Sequence, residues 1–130
     1  MSVASEAYHF VANKVKKRHV DSEPLIATDA LQSFFYAKKI LKGRFVLGEP
    51  AISAHAGLSF YYARDIVKGR FMSGEAVMLT DEELFEVSEM DLLFYDDKPI
   101  NKTKRIRDAY SMLMKKVLPK DEYILFMLEF

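Results

Sequence analysis

The stretch SFFYAKKILKGRFVLGEPAI at residues 33–52 returns as SFYYARDIVKGRFMSGEAVM at residues 59–78, 26 residues on. A chain that writes one pattern twice must give both copies the same surroundings. Stacked supersecondary units do this, because a single unit cannot bury its apolar face alone. The offset pairs Phe34 with Phe60, Tyr36 with Tyr62, Ala37 with Ala63 and Ile40 with Ile66. It also pairs Lys42-Gly43-Arg44-Phe45 with Lys68-Gly69-Arg70-Phe71, and Gly48-Glu49 with Gly74-Glu75. The same step backwards finds a decayed third copy: Tyr8, Phe10, Lys16, Arg18, Glu23, Pro24 and Ile26 fall under their counterparts. There Lys17 replaces the glycine and His19 the phenylalanine.

Within DALQSFFYAKKILKG the apolar residues fall three and four apart, which is a helical period. Asp29 is placed to cap the start, and Gly43 and Gly69 stand where a left-handed C-terminal residue is expected. Glu49-Pro50 suits the first turn of a shorter helix. Each unit therefore reads as a short helix and a longer one. The seam should bury Tyr36, Ala37, Ile40, Tyr62, Ala63 and Ile66. We expect an all-α single domain over residues 1–130. Three helical repeats fill 5–80, and a divergent C-terminal part fills 81–130.

That last part segregates its charges. Residues 81–97 hold eight acids and no base, and 98–107 hold five bases and no acid. Leu84, Phe85, Val87, Met90, Leu92 and Leu93 among the acids suggest an amphipathic helix. Ile106, Ala109, Tyr110, Leu113, Met114 and Val117 mark another, which Pro119 ends or interrupts. The C-terminal YILFMLEF is almost wholly apolar and should be packed.

The pattern Y-A-[RK]-x-[IV]-[LIV]-K-G-R-[FW]-x-x-[GA]-E resembles a short tandem repeat of proteins encoded by tailed bacteriophages, where tryptophan often stands at the places of Phe45 and Phe71. The resemblance covers residues 5–80. It implies a small phage-encoded helical protein acting in the bacterial cytoplasm. It brings no catalytic residues with it.

Composition narrows the functional classes. Nineteen basic and nineteen acidic residues leave no net charge, which argues against a dedicated nucleic-acid binder. Cysteine is absent, removing disulfides, thiolate metal sites and cysteine nucleophiles. The three histidines, His9, His19 and His55, have no metal-ligand spacing, and no phosphate loop or hydrolase signature is present. No cofactor or metal is expected. With no signal core and no apolar run long enough for a bilayer, no membrane role and a cytoplasmic setting are expected.

Two features are candidates for contact. Arg44 and Glu49 recur as Arg70 and Glu75, and as Arg18 and Glu23; their strict coupling to the repeat favours ion pairs over a row of anion-binding arginines. The row His9, Phe35, Tyr61 lies on the helix side of Lys38, Lys39 and Lys42, and of Arg64 and Lys68. It reads either as an aromatic contact ridge flanked by cations or as a face that another helix covers. Glu82, Glu86 and Glu89 offer an alternative acidic surface.

The function expected is a non-enzymatic protein-binding module, phage-encoded, that inhibits or redirects a bacterial host protein. The alternatives are a nucleic-acid binder using the Lys/Arg rows, or a self-assembling homo-oligomer using the repeat ends.

Overall fold

The computed structural model describes residues 2–86 and 103–130. It is an all-α stack with, among the described residues, a single short strand pair. Three long helices open the three units: α1 (Val3–Phe10), α3 (Ala30–Phe35) and α5 (Ala56–Tyr62). Ser2 caps α1 by accepting from the Ser5 amide, and Asp29 caps α3 by accepting from the Gln32 amide at 2.9 Å. Each long helix then widens into a π turn, at Val11–Val15, Tyr36–Leu41 and Ala63–Val67.

The residue closing each π turn also reverses the chain. Lys16, Lys42 and Lys68 donate their amides five residues back and take left-handed φ values of 60°, 52° and 56°. The expectation for Gly43 and Gly69 is therefore corrected. The closing bond places the reversal one residue earlier, on an exposed lysine, at a steric cost of about 1–2 kcal/mol. No described glycine has positive φ.

A 3-10 turn follows in each unit and leads into a short helix. These helices are α2 (Glu23–Ile26), α4 (Glu49–Ser53) and α6 (Glu75–Thr80). Pro24 and Pro50 stand in the first turn of α2 and α4, where a missing amide costs nothing. Gly48 and Gly74 are required at the entry to α4 and α6 by close approach rather than by φ. A Cβ at Gly48 would stand 2.5 Å from Ser33 Oγ, and one at Gly74 2.4 Å from Ser59 Oγ. Both serines donate back to a carbonyl of the preceding short helix, Ile26 and Ile52.

The core runs the length of the stack through Tyr8, Val11, Ile26, Phe34, Tyr36, Ile52, Phe60, Tyr62, Phe71 and Met78. Tyr36, Ala37, Tyr62 and Ala63 are fully buried as the seam requires, but Ile40 and Ile66 are only half-buried. They lie inside the π turns, where the wider spiral carries their side chains toward the rim.

The helix expected over residues 81–97 is corrected at 81–86, and its remainder, 87–97, lies outside the described residues. Thr80 ends α6 by turning its hydroxyl to the Ala76 carbonyl, and Asp81 is extended. Strand β1 (Leu84–Glu86) then pairs antiparallel with β2 (Thr103–Arg105), Leu84 opposite Arg105 and Glu86 opposite Thr103. Glu82 reaches Arg105 at 3.2 Å, so the acidic segment meets the basic one across the ladder.

Among the described residues, two helices follow in the C-terminal part, α7 (Ile106–Val117) and α8 (Lys120–Glu129). Helix α7 buries Ile106, Ala109, Tyr110, Leu113 and Met114 against α5 and α6. Leu118 is extended and Pro119 starts the turn into α8. The C-terminal run is packed less than expected. Phe126 is buried, but Leu125, Met127 and Leu128 are 56%, 62% and 80% exposed.

Candidate functional site

The repeated polar residues build one joint three times. In the first, the Arg18 guanidinium donates to both Glu23 oxygens at 2.9 and 3.3 Å. Tyr36, from the next unit, donates its hydroxyl to the same carboxylate at 2.7 Å and accepts the His19 amide at 3.1 Å. In the second, Arg44 grips Glu49 at 2.8 Å through both nitrogens. Tyr62 donates to Glu49 at 2.7 Å and accepts the Phe45 amide at 2.9 Å. In the third, Arg70 grips Glu75, and Tyr110 of α7 donates to Glu75 at 2.6 Å while accepting the Phe71 amide at 3.0 Å.

The arginines are thus joined to their glutamates, as their coupling in the sequence suggested. The tyrosine hydroxyl as third member was not anticipated. Its one signal is that Tyr36 and Tyr62 stay tyrosine in the two close copies while the adjacent Phe35 is replaced by Tyr61.

Burial and charge hold the three tyrosines protonated and Glu49 ionised. Burial and the Glu23 hydrogen bond push the Tyr36 hydroxyl up to about 12. Burial, then the carboxylate bond, raises Tyr62 and Tyr110 further still. The Arg44 fork holds Glu49 below the ordinary carboxylate range. A tyrosine pushed away from ionisation and a carboxylate pinned by arginine make a structural joint rather than an acid–base pair.

The expected ridge is brought together in part. His9 is exposed, with its ring nitrogen 2.8 Å from the Ser5 carbonyl oxygen, and Phe35 and Tyr61 are half-buried. A shallow pocket of about 330 Å³ between the first two units is lined by Tyr8, His9, Asn13, Gln32, Phe35 and Lys39. Lys39 lies over the Phe35 ring at 5.6 Å. Buried Gln32 Oε1 has no hydrogen-bond partner. Tyr61 does not line this pocket; Arg64 covers its ring at 4.7 Å.

The cations beside the ridge are largely engaged. Lys38 bonds Asp65 at 3.3 Å, and Arg64 bonds the same carboxylate through two nitrogens. Burial works against the charge of Asp65, but Arg64 and Lys38 together hold its carboxyl below the ordinary value. Lys42 and Lys68 are exposed at the left-handed turns. Of the alternative acidic surface, Glu82 is exposed and paired with Arg105, Glu86 lies in β1, and Glu89 falls outside the described residues.

Among the described residues no three His, Cys, Asp or Glu side chains converge to hold a metal, and no helix is long and apolar enough to cross a membrane. No protein-family model, curated protein or solved structure matches the chain.

Proposed function

We propose that the protein is a non-enzymatic protein-binding module. In this reading it is phage-encoded and acts in the bacterial cytoplasm, where it inhibits or redirects a host protein by occupying its surface. The observation that carries the proposal is the pocket between the first two units. It joins an aromatic wall, Tyr8 and Phe35, to the polar side chain of Gln32 and a cation, Lys39. That is the make-up of a socket for one anchoring side chain of a partner. Its cationic neighbours Lys38 and Arg64 already hold a carboxylate, which weakens the nucleic-acid alternative.

The test is capture from bacterial lysate by the tagged chain, read by mass spectrometry, with and without Phe35→Ala plus Tyr61→Ala. Loss of one captured protein is expected, with a melting shift worth roughly 1–2 kcal/mol because both rings are half-buried. Capture unchanged by the double substitution would sink the ridge. An affinity that falls steeply with salt and follows nucleic acid would replace the reading by the nucleic-acid one.

A further inference from the structure

The second and third units share one edge, the Lys-Gly-Arg turn and the residue after the loop aromatic, and among the described residues only the third has a helix lying on it. There Arg70 uses Nε and Nη2 on Glu75, and its outer Nη1 donates to Glu129 of α8 at 2.6 Å. The same guanidinium lies 5.2 Å from the Phe126 ring centre, one helical turn before Glu129. Leu118 passes over Gly69, 3.9 Å from where a Cβ would be. A groove of about 430 Å³ remains between this edge and α8, with Met72 and Leu125 in its wall.

The second unit repeats this edge uncovered. Arg44 binds Glu49 through Nε and Nη2, and its Nη1 has no partner among the described residues. Its side chain is 52% exposed against 18% for Arg70. Val46 is 68% exposed and Leu47 beside it 54%, and the counterpart of Val46 on the third edge, Met72, is likewise 64% exposed, so the difference between the edges lies at the arginine. Gly43 needs no positive φ, and a Cβ there would meet nothing nearer than the Leu41 carbonyl oxygen at 3.9 Å. The first unit has Lys17 at this place, so the backbone itself accepts a side chain. Neither φ nor crowding within the fold requires glycine at 43. Glycine leaves this edge low, as Gly69 does beneath Leu118, where even a Cβ would stand 3.9 Å from the leucine.

We propose that the Lys42–Leu47 edge is a docking site for an amphipathic helix of a partner protein. That helix presents an aromatic ring and a carboxylate one turn apart, as Phe126 and Glu129 do in α8. The carboxylate takes Arg44 Nη1, the ring covers the guanidinium, and an aliphatic side chain crosses Gly43 to meet Val46. The proposal rests on the protein-binding reading but uses residues distinct from the ridge.

The chain supplies its own probe. Residues 119–130, fused to the end of a soluble carrier, are titrated into the isotope-labelled full-length protein. The native α8 is tethered and enjoys a local concentration of about millimolar, so the free probe is taken to that range. Amide shifts are expected at residues 42–48. They should vanish in Gly43→Lys and in Val46→Glu, both of which should melt like the parent because each position is open to solvent. Glu129→Gln in the probe should weaken binding about tenfold. Shifts confined to residues 68–72, shifts that survive both substitutions, or no binding at all would each overturn the proposal. So would a dimer of the free protein that Gly43→Lys dissolves, which would make a second copy the occupant. Neither substitution touches Phe35 or Tyr61, so capture through the ridge fails or succeeds independently.

Discussion

The joint at Glu49 and the joint at Glu75 have the same bonds and different origins. Tyr62 comes from the neighbouring unit, 13 residues from its carboxylate; Tyr110 comes from α7, 35 residues away. Around Tyr62 the sequence is the repeat. Around Tyr110 it is not, yet the hydroxyl lands within the same hydrogen-bond distance of the carboxylate and of the loop amide. The rings above differ too: Tyr62 meets Phe71 at 4.8 Å, whereas Tyr110 meets Phe126 and Phe130 of the C-terminal helix. A stack can therefore be finished by any helix that buries its own apolar stripe and places one hydroxyl correctly. The repeat motif is one way of making the joint, and α7 is another.

Truncating the rings tests this most severely. Phe60→Ala in the stack and Phe126→Ala in the C-terminal part each remove a fully buried phenylalanine, and each should cost about 3–5 kcal/mol in urea unfolding. If stack and C-terminal helices form one cooperative body, both variants keep a single transition. Two transitions in Phe126→Ala alone would separate the regions.

Removing one oxygen is gentler and sharper. Tyr62→Phe and Tyr110→Phe each leave a loop amide unpaired and a buried carboxylate short of one donor, worth about 1–3 kcal/mol. Equal costs would show that origin does not matter. A cost at Tyr62 with none at Tyr110 would mean that the third joint is incidental to packing.

The smallest effect near neutrality is that of pH. Tyr36, Tyr62 and Tyr110 have raised pKa values in the fold, so their contribution is complete below pH about 10 and is lost as pH climbs through the folded values. Glu49 is depressed, so its contribution is complete above the ordinary carboxylate range and is lost on acidification. Thermal melts should be flat across neutral pH and fall at both ends. Tyr62→Phe should blunt the alkaline fall, and a variant that kept it whole would remove this joint from the account.

Much of this was legible in the chain itself. Helical spacing around Tyr36 and Tyr62, the Asp29 cap and the Arg–Glu partnership follow from residue type at fixed separations, and such local rules survive folding. The aromatic row was legible as a row, but the sequence left open which of its members share a pocket. Tyr110 was legible as an apolar-face residue of an amphipathic helix, not as a hydrogen-bond donor to Glu75, because that role depends on how a distant helix docks. The left-handed Lys42 and Lys68 were missed because the glycine beside each offered the cheaper explanation. The strand at 84–86 was missed because three residues are too few for an alternating pattern to outweigh an apolar, acidic run that also fits a helix.

All three joints point the same way along the chain, a tyrosine reaching back to the carboxylate before it, and every carboxylate is presented identically. The two halves are therefore interchangeable. Excising one whole 26-residue unit would bring Tyr62 to Glu23, and duplicating one would add a further Glu–Tyr contact of the same kind. A deletion one residue longer or shorter would rotate every ring after it out of register. Copy number is thus a free variable in this architecture, and spacing is not.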